Sequence, residues 1–158
     1  PYEGEVAPER VAYLAGLMKQ IGVQRVDVAD TIGVGVPSQV TEILTRAREA
    51  LPGVRLRAHF HNTRNTGLAN AYAAVAAGVS ALDSSAGGIG GCPFAPAATG
   101  NIPTEDLVYM LERMGVSTGI DLDKLLATGE WLQQTLGRNV PGMLLKAGGF
   151  PKPSAQAA

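Results

Sequence analysis

Hydrophobic and polar positions change period several times along the chain, and each change separates a predicted helix from a predicted strand. From Pro8 to Gly22 apolar residues recur every three or four positions, which is typical of an amphipathic helix. Short runs of valine and other apolar residues indicate strands. The pattern predicts strands near 24–30, 54–61 and 79–85, helices near 8–21, 37–51, 66–77 and 121–136, a helix starting at 103, and a short, weakly indicated strand just before Asn101.

This alternation is typical of an α/β fold with parallel strands. Polar residues end or follow each strand, namely Asp30, then His59 and His61, then residues 83–85. In parallel α/β folds ligands bind at this carboxyl edge. A complete (β/α)8 barrel needs about 250 residues, whereas this chain of 158 residues offers four strand signals and begins on a helix. We therefore predict a TIM (β/α)8 barrel of which the chain forms the second half, about strands 5 to 8 with their helices.

The composition favours a folded protein that acts on a small molecule. The chain is 46% hydrophobic, and 13 basic against 14 acidic residues give a formal charge of -1, so we expect no nucleic-acid partner and no membrane partner. The longest nearly uncharged stretch, 66–85, is interrupted by Asn70 and Asp83, which argues against a membrane span. A single cysteine, Cys92, and the lack of a signal-like segment favour a cytoplasmic location.

Two histidines separated by one residue end the second predicted strand. Side chains alternate between the faces of a strand, so His59 and His61 point to the same side. Neutral imidazoles are good ligands for divalent metals, and the pair predicts a metal site. The alternative is a solvated polar face continued by Arg55 and Arg57. If that face points into a barrel, Arg57 needs a carboxylate or water partner, which the sequence does not identify.

Further polar residues are candidates for the same site, each with a structural alternative. Asp30 with Thr31 either positions substrate or orients a ligand, or else Asp30 forms an Asx turn or caps a helix. The amide oxygen of Asn101 suits a hard cation such as Mg²⁺ or Mn²⁺, or else serves a turn before the next helix. Glu105 is a candidate catalytic carboxylate, although a first-turn acid more commonly stabilises the helix dipole.

The segment GGIGGC, residues 87–92, contains four glycines in six positions. Such a loop is flexible enough to close over a ligand, which makes Gly90 and Gly91 candidate substrate contacts. A cysteine on the loop is reachable, and a reachable thiol can donate a proton or react. The alternative is a mobile linker on which Cys92 is incidental. A phosphate-binding Walker loop is disfavoured because no lysine follows the glycines.

Six segments taken in order resemble the 3-hydroxy-3-methylglutaryl-CoA lyases of the DRE-TIM metallolyase superfamily, which is built on a TIM barrel. The segments are PYEG, DTIGVGVP, HFHNT, GLANAYAA, DSSAGGIGGCPFAPAATGN and TEDLVYML. The GGCPF loop, TGN and TEDLVYML favour the lyase branch, whereas the histidine strand alone also fits isopropylmalate and homocitrate synthases and related aldolases. The resemblance implies that residues 1–147 are the C-terminal half of a lyase catalytic domain, and we expect 148–158 to be a flexible tail.

The resemblance also implies roles for individual residues. Two histidines and an asparagine match the family's metal ligands, a cysteine matches its catalytic loop cysteine, and two acids match active-site positions: His59, His61, Asn101, Cys92, Asp30 and Glu105. The family's HxHDT is HFHNT here, with Asn62 in place of aspartate and Arg64-Asn65 in place of Tyr-Gly. This loop lies close to the ligand in the family, so Asn62 is an expected substrate contact and the acyl chain stays open.

The family's first strand carries an Arg-Asp-Gly segment that contributes another metal ligand, and nothing in this chain matches it. A half-barrel alone would expose two sheet edges, which natural proteins avoid. We therefore expect that a missing N-terminal half-barrel, or a second copy in a homo-oligomer, closes the sheet, and that the chain alone is inactive.

The activity that the resemblance implies is cleavage of a 3-hydroxy-3-methylglutaryl-CoA-like thioester to acetyl-CoA and acetoacetate, with Mg²⁺ or Mn²⁺ as cofactor. Asp30 or His59 is the expected base, and Cys92 the expected proton donor. Two alternatives stay open. One is a 2-oxo-acid synthase or aldolase of the same superfamily, and the other is a non-catalytic half-barrel that binds acyl-CoA or metal.

Overall fold

The structure, a computed structural model, describes residues 4–92 and 100–151. Among these residues, helices and strands alternate up to Asp83, and the described elements after it are helical. Their order is α1 (Pro8–Gln20), β1 (Arg25–Asp30), α2 (Pro37–Ala50), β2 (Arg55–Phe60), α3 (Gly67–Ala76), β3 (Ala81–Asp83), a 3-10 turn (Ala86–Gly88), α4 (Thr104–Arg113), α5 (Leu122–Leu136) and α6 (Leu144–Ala147).

The three described strands form one parallel sheet in the order β1-β2-β3, which confirms the predicted parallel α/β pattern. In the register, Asp27 of β1 lies beside Arg57 of β2, and His59 of β2 lies beside Asp83 of β3. The strand predicted just before Asn101 falls on residues 93–99, which lie outside the described residues. Asn101 itself forms an antiparallel bridge to the chain just after β2.

The described residues divide into two compact units, 4–84 with 90–92 and 100–102, and 85–89 with 103–151. In the first unit, α1 and α2 pack on the sheet around a core of small and branched side chains, which are Ala15, Val26, Ala47, Leu51 and Leu56. Full burial of a leucine stabilises a fold by about 1.5–3 kcal/mol. The same unit contains the histidine strand.

The second unit contains the 3-10 turn and α4 to α6. Asp121 caps α5 by accepting from the Lys124 N–H at 3.1 Å, and Gly137 ends that helix at φ +63°. Asp106 accepts from the N–H groups of Met143 and Leu144 at 3.0 and 2.7 Å, and so fixes the start of α6. None of the helices in the described residues is long and apolar enough to cross a bilayer. The tail proposed for 148–158 stays a prediction.

Candidate functional site

His59 and His61 lie on the same side of β2 and the residue after it. Their ring centroids are 5.1 Å apart, with the ring planes at 66°. His61 is 4% exposed, while Phe60 between them points to the opposite side and is 2% exposed. Burial of the phenylalanine in the apolar layer therefore directs both imidazoles to the other face of the sheet.

Asn101 lies directly across from His61 in the antiparallel bridge. The bridge is flanked by two backbone hydrogen bonds, one from the Asn62 N–H to the Gly100 carbonyl at 3.1 Å and one from the Ile102 N–H to the Phe60 carbonyl at 3.3 Å. Directly opposed residues of an antiparallel pair project to the same face. The amide of Asn101 and the imidazole of His61 therefore face the same side.

Gly90 approaches the same amide from the glycine-rich segment. A β-carbon built on Gly90 would lie 2.9 Å from Asn101 Nδ2, and the backbone has a φ of +101°. Gly90 and Gly91 are exposed, and Cys92 is half-buried with a free thiol. One residue, Gly91, separates Gly90 from Cys92, which keeps their Cα atoms within about 7 Å.

The electrostatics keep His61 in the form that binds metals. Burial lowers the pKa of His61 from 6.5, the nearby His59 lowers it further, and the charge of Asp30 partly offsets both effects. Nδ1 of His61 is buried and has no hydrogen-bond partner among the described residues. A neutral imidazole with an orphaned nitrogen, a second imidazole and an amide oxygen make a donor set that fits a divalent cation.

Further ligands for such a cation would have to come from elsewhere. Within residues 4–92 and 100–151, no group of three or more His, Cys, Asp or Glu side chains is placed to hold a metal. The described part of the chain therefore offers two imidazoles and one amide, which leaves coordination positions for water, substrate or another segment.

Asp30 organises the loop that follows β1. Its carboxylate accepts from the Val34 N–H at 3.1 Å and the Gly35 N–H at 2.8 Å, while its carbonyl accepts from the N–H groups of Gly33 and His61, each at 3.3 Å. The next residue, Thr31, is half-buried in the turn. The structure thus gives Asp30 the turn role that the sequence left open, beside His61.

The loop is held against the end of β2 by a close approach at Gly33. Its φ is +61°, and a β-carbon there would lie 3.0 Å from both the His61 carbonyl oxygen and Thr63 Cβ. Arg64 Nη1 donates to the carbonyls of Ile32 and Gly33 at 2.9 and 3.3 Å. Arg64, one of the two residues that replace Tyr-Gly, therefore fastens this loop.

Asn62 accepts a hydrogen bond from the first residue of α3. Its Oδ1 accepts from the Gly67 N–H at 3.1 Å, and its carbonyl accepts from the Asn65 N–H at 3.0 Å. Asn65 has a φ of +57°, a conformation that asparagine tolerates better than most residues. The structure therefore assigns Asn62 a contact within the chain, and its expected contact with substrate stays a prediction.

Arg57 has the carboxylate partners that the sequence did not identify. It donates to Asp83 through Nη2, and its Nε lies 3.6 Å from Asp27 Oδ2. Burial raises the pKa of Asp27, as do the charge of Asp83 and a hydrogen bond with it, and these effects outweigh the lowering by Arg57 and His59. Aligning the carboxyl ends of the strands would have placed Asp27 beside Arg57 and revealed one of the pairs.

Glu105 belongs to the second unit and is 0% exposed. Both carboxylate oxygens accept from the Gly87 N–H, at 2.9 and 2.8 Å. Burial raises the pKa of Glu105, partly offset by hydrogen bonds from backbone N–H groups. The structure therefore shows Glu105 anchoring the 3-10 turn, and its expected catalytic role stays a prediction.

The family model described as HMGL-like matches residues 1–132. The chain belongs to the HMGL-like family. This confirms the resemblance that the sequence motifs indicated, and it places the three parallel strands in a family with a TIM-barrel fold. Which half of the barrel they form stays a prediction.

Several proteins similar to this chain are named as CoA lyases. This chain is 49% identical to the (R)-citramalyl-CoA lyase of Chloroflexus aurantiacus, over 94% of this chain and 47% of the relative. It is 40% identical to the hydroxymethylglutaryl-CoA lyase of Bacillus subtilis, over 92% of this chain and 49% of the relative. An HMG-CoA lyase structure from Acinetobacter baumannii, in complex with coenzyme A and 3-methylmalate, superposes with a TM-score of 0.89 at 41% identity, over 97% of this chain and 52% of that one. The chain thus spans about half the length of these relatives.

Proposed function

We propose that the protein containing this chain is a divalent-metal-dependent lyase that cleaves 3-hydroxy-3-methylglutaryl-CoA, or a related 3-hydroxyacyl-CoA, to acetyl-CoA and a keto acid. The observation that carries the proposal is the bridge that sets the Asn101 amide opposite the buried, neutral His61 imidazole. The lyase names of the relatives support it.

In this proposal His59, His61 and Asn101 hold Mg²⁺ or Mn²⁺. A cation held there would supply Lewis-acid chemistry toward the substrate's hydroxyl and carboxylate oxygens. The contribution of the chain is a fixed donor set. The strand fixes both imidazoles, and the backbone bonds on either side of the bridge fix the amide.

The reaction needs a base at the tertiary hydroxyl and an acid at the departing carbon. Asp30 or His59 takes the hydroxyl proton, the C–C bond breaks to leave a ketone, and the electron pair passes to the enolate of acetyl-CoA. Cys92 returns a proton to that carbon. Closure of the segment that carries Gly90 and Gly91 excludes water, which would otherwise quench the enolate, and Thr31 and Asn62 contact the substrate.

The rest of the barrel comes from outside this chain. We propose that the chain provides about strands 5 to 8, and that the remaining half, or a second copy in a homo-oligomer, closes the sheet and completes the metal's ligands. In this proposal Glu105 is a catalytic acid of the completed enzyme, and the enzyme works in the cytoplasm. The chain alone, without the other half, has no activity.

A second substrate is favoured by one observation, the 49% identity to the (R)-citramalyl-CoA lyase. Citramalyl-CoA has the same tertiary alcohol and thioester group as 3-hydroxy-3-methylglutaryl-CoA but one methylene group fewer. The same cleavage would yield acetyl-CoA and pyruvate. Arg64-Asn65 stand where the resemblance places Tyr-Gly in the 3-hydroxy-3-methylglutaryl-CoA lyases, close to the expected substrate contact Asn62. The same cleavage mechanism therefore applies to both thioesters, and comparing them shows which one the enzyme prefers.

The proposal is tested with the full-length protein, Mn²⁺ and both thioesters, with products identified by mass spectrometry. We expect acetyl-CoA with either acetoacetate or pyruvate. Asn101→Ala should weaken Mn²⁺ binding, whereas Asn139→Ala, at an exposed position outside the site, should not. Cys92→Ala should bind Mn²⁺ normally and lose turnover.

Condensation of a 2-oxo acid with acetyl-CoA and no cleavage would indicate the synthase or aldolase alternative. Binding of acyl-CoA without turnover would indicate the non-catalytic alternative. Either result contradicts the proposed lyase.

A further inference from the structure

One charged residue from each strand lies in a row on the sheet face that carries His59. Asp27, Arg57 and Asp83 come from β1, β2 and β3, and the parallel register places Asp27 beside Arg57 and Asp83 beside His59. Arg57 donates to Asp83 Oδ1 and lies 3.6 Å from Asp27 Oδ2. A single guanidinium thus links carboxylates on both neighbouring strands.

Stability does not account well for this row. The side chains of Asp27 and Asp83 are each 39% exposed and that of Arg57 is 26% exposed, and ion pairs of that exposure contribute little to folding. The row also lies one step along β2 from the histidine pair, since Arg57 and His59 are two residues apart on the same face. Its position points to the metal site.

We propose that Arg57 and Asp83 are positioning residues of the metal site: Arg57 holds the Asp83 carboxylate beside His59, where it accepts the imidazole N–H that faces away from the metal. This inference rests on the proposed function. Adjacent strands are about 4.8 Å apart, which brings a carboxylate within reach of a neighbouring imidazole. Metal-binding histidines generally donate their other N–H to such an acceptor, which fixes the tautomer and the ring orientation.

The strand register distinguishes Asp83 from Asp27. Asp83 is the register partner of His59, whereas Asp27 is the register partner of Arg57, lies 3.6 Å from its Nε and shares a hydrogen bond with Asp83. Both side chains have the same exposure. Asp27→Ala is therefore a matched control for Asp83→Ala, because it removes the same group from the other neighbouring strand.

The first test uses the full-length protein freed of metal and labelled with ¹⁵N-histidine. NMR should show His59 in a single tautomer in the unmodified protein and in Asp27→Ala. Asp83→Ala and Arg57→Met should show a mixture of tautomers, and the conservative Arg57→Lys should restore the single form. A single tautomer in both Asp83→Ala and Arg57→Met would overturn the inference.

The second test is Mn²⁺ affinity by calorimetry. Asp83→Ala and Arg57→Met should weaken Mn²⁺ binding by about 10- to 100-fold. Asp27→Ala should weaken it by less than about 3-fold. Thermal melts confirm that each variant is folded. Equal losses in the two aspartate variants would overturn the inference, because they would indicate a general effect of charge. If the unmodified protein binds no Mn²⁺, the proposed function fails, and the metal-free NMR test still decides the role of Asp83.

Discussion

Asn101 and His61 face one another across an antiparallel bridge, although α3 and β3 lie between them in the chain. The pairing follows from close packing as much as from hydrogen bonds. Gly67, the first residue of α3, leaves room for Ile102, since a β-carbon there would lie 2.4 Å from Ile102 Cγ2. The candidate site therefore depends on a glycine that carries no chemistry of its own.

Replacement of Gly67 should disturb this pairing. We expect Gly67→Ala to destabilise the protein by about 1–3 kcal/mol, because the new methyl group would overpack against the buried Ile102. It should also weaken Mn²⁺ binding, because Ile102 adjoins Asn101. The control is Gly16→Ala in α1, where nothing lies within 4 Å and alanine should stabilise the helix by about 0.5–1 kcal/mol. Urea unfolding measures both, and a neutral Gly67→Ala would contradict the packing argument.

Gly33 gives a second test of close approach. Alanine at a positive φ costs about 1–2 kcal/mol wherever it occurs, and Gly53, at φ +82° with open space around it, measures that cost alone. Gly33→Ala should cost about 1–3 kcal/mol more than Gly53→Ala, because its methyl group would press on the His61 carbonyl. Chemical denaturation of both variants gives the difference. Equal losses of unfolding free energy in the two variants would mean that the loop accommodates the methyl group, which would contradict the close approach at Gly33.

Glu105 should be more important for stability than an exposed acid. Glu105→Ala should cost about 2–4 kcal/mol, because it leaves the Gly87 N–H buried without a partner and opens a cavity. Glu105→Gln should cost less, since it keeps an acceptor and removes a buried charge. Glu130→Ala, at an exposed position of α5, should change stability by less than about 0.5 kcal/mol. Similar losses in Glu105→Ala and Glu130→Ala would exclude the anchoring role.

His61 should make the metal-free protein less stable in mild acid. Its pKa is lowered in the folded protein, so below pH 6.5 the unfolded chain binds more protons at this residue than the folded chain does. Its contribution to stability is therefore full above pH 6.5 and falls as pH drops toward the folded pKa. Unfolding free energies at pH 7.5 and 5.5, measured with a chelator present, should differ less in His61→Asn than in the unmodified protein. An unchanged difference would contradict the neutral, buried state of His61.

The helices and parallel strands could be predicted from the sequence because their apolar periods and end signals are local. The shared direction of His59 and His61 also follows from strand alternation. The contacts of Arg64 with the loop after β1 and of Asp106 with the start of α6 could not be predicted, because each joins segments that are far apart in the chain. Glu105 shows the same limit: its place in the first turn was evident, but its bond to Gly87 depends on tertiary packing.

The central claim is that both histidines bind one divalent cation. It is tested most directly by pulsed electron paramagnetic resonance on the Mn²⁺-loaded full-length protein, which detects imidazole nitrogens bound to the metal. We expect couplings from two histidine nitrogens in the unmodified protein and from one in His59→Ala and in His61→Ala. A spectrum without nitrogen coupling in the unmodified protein, or one that neither substitution changes, would contradict the account.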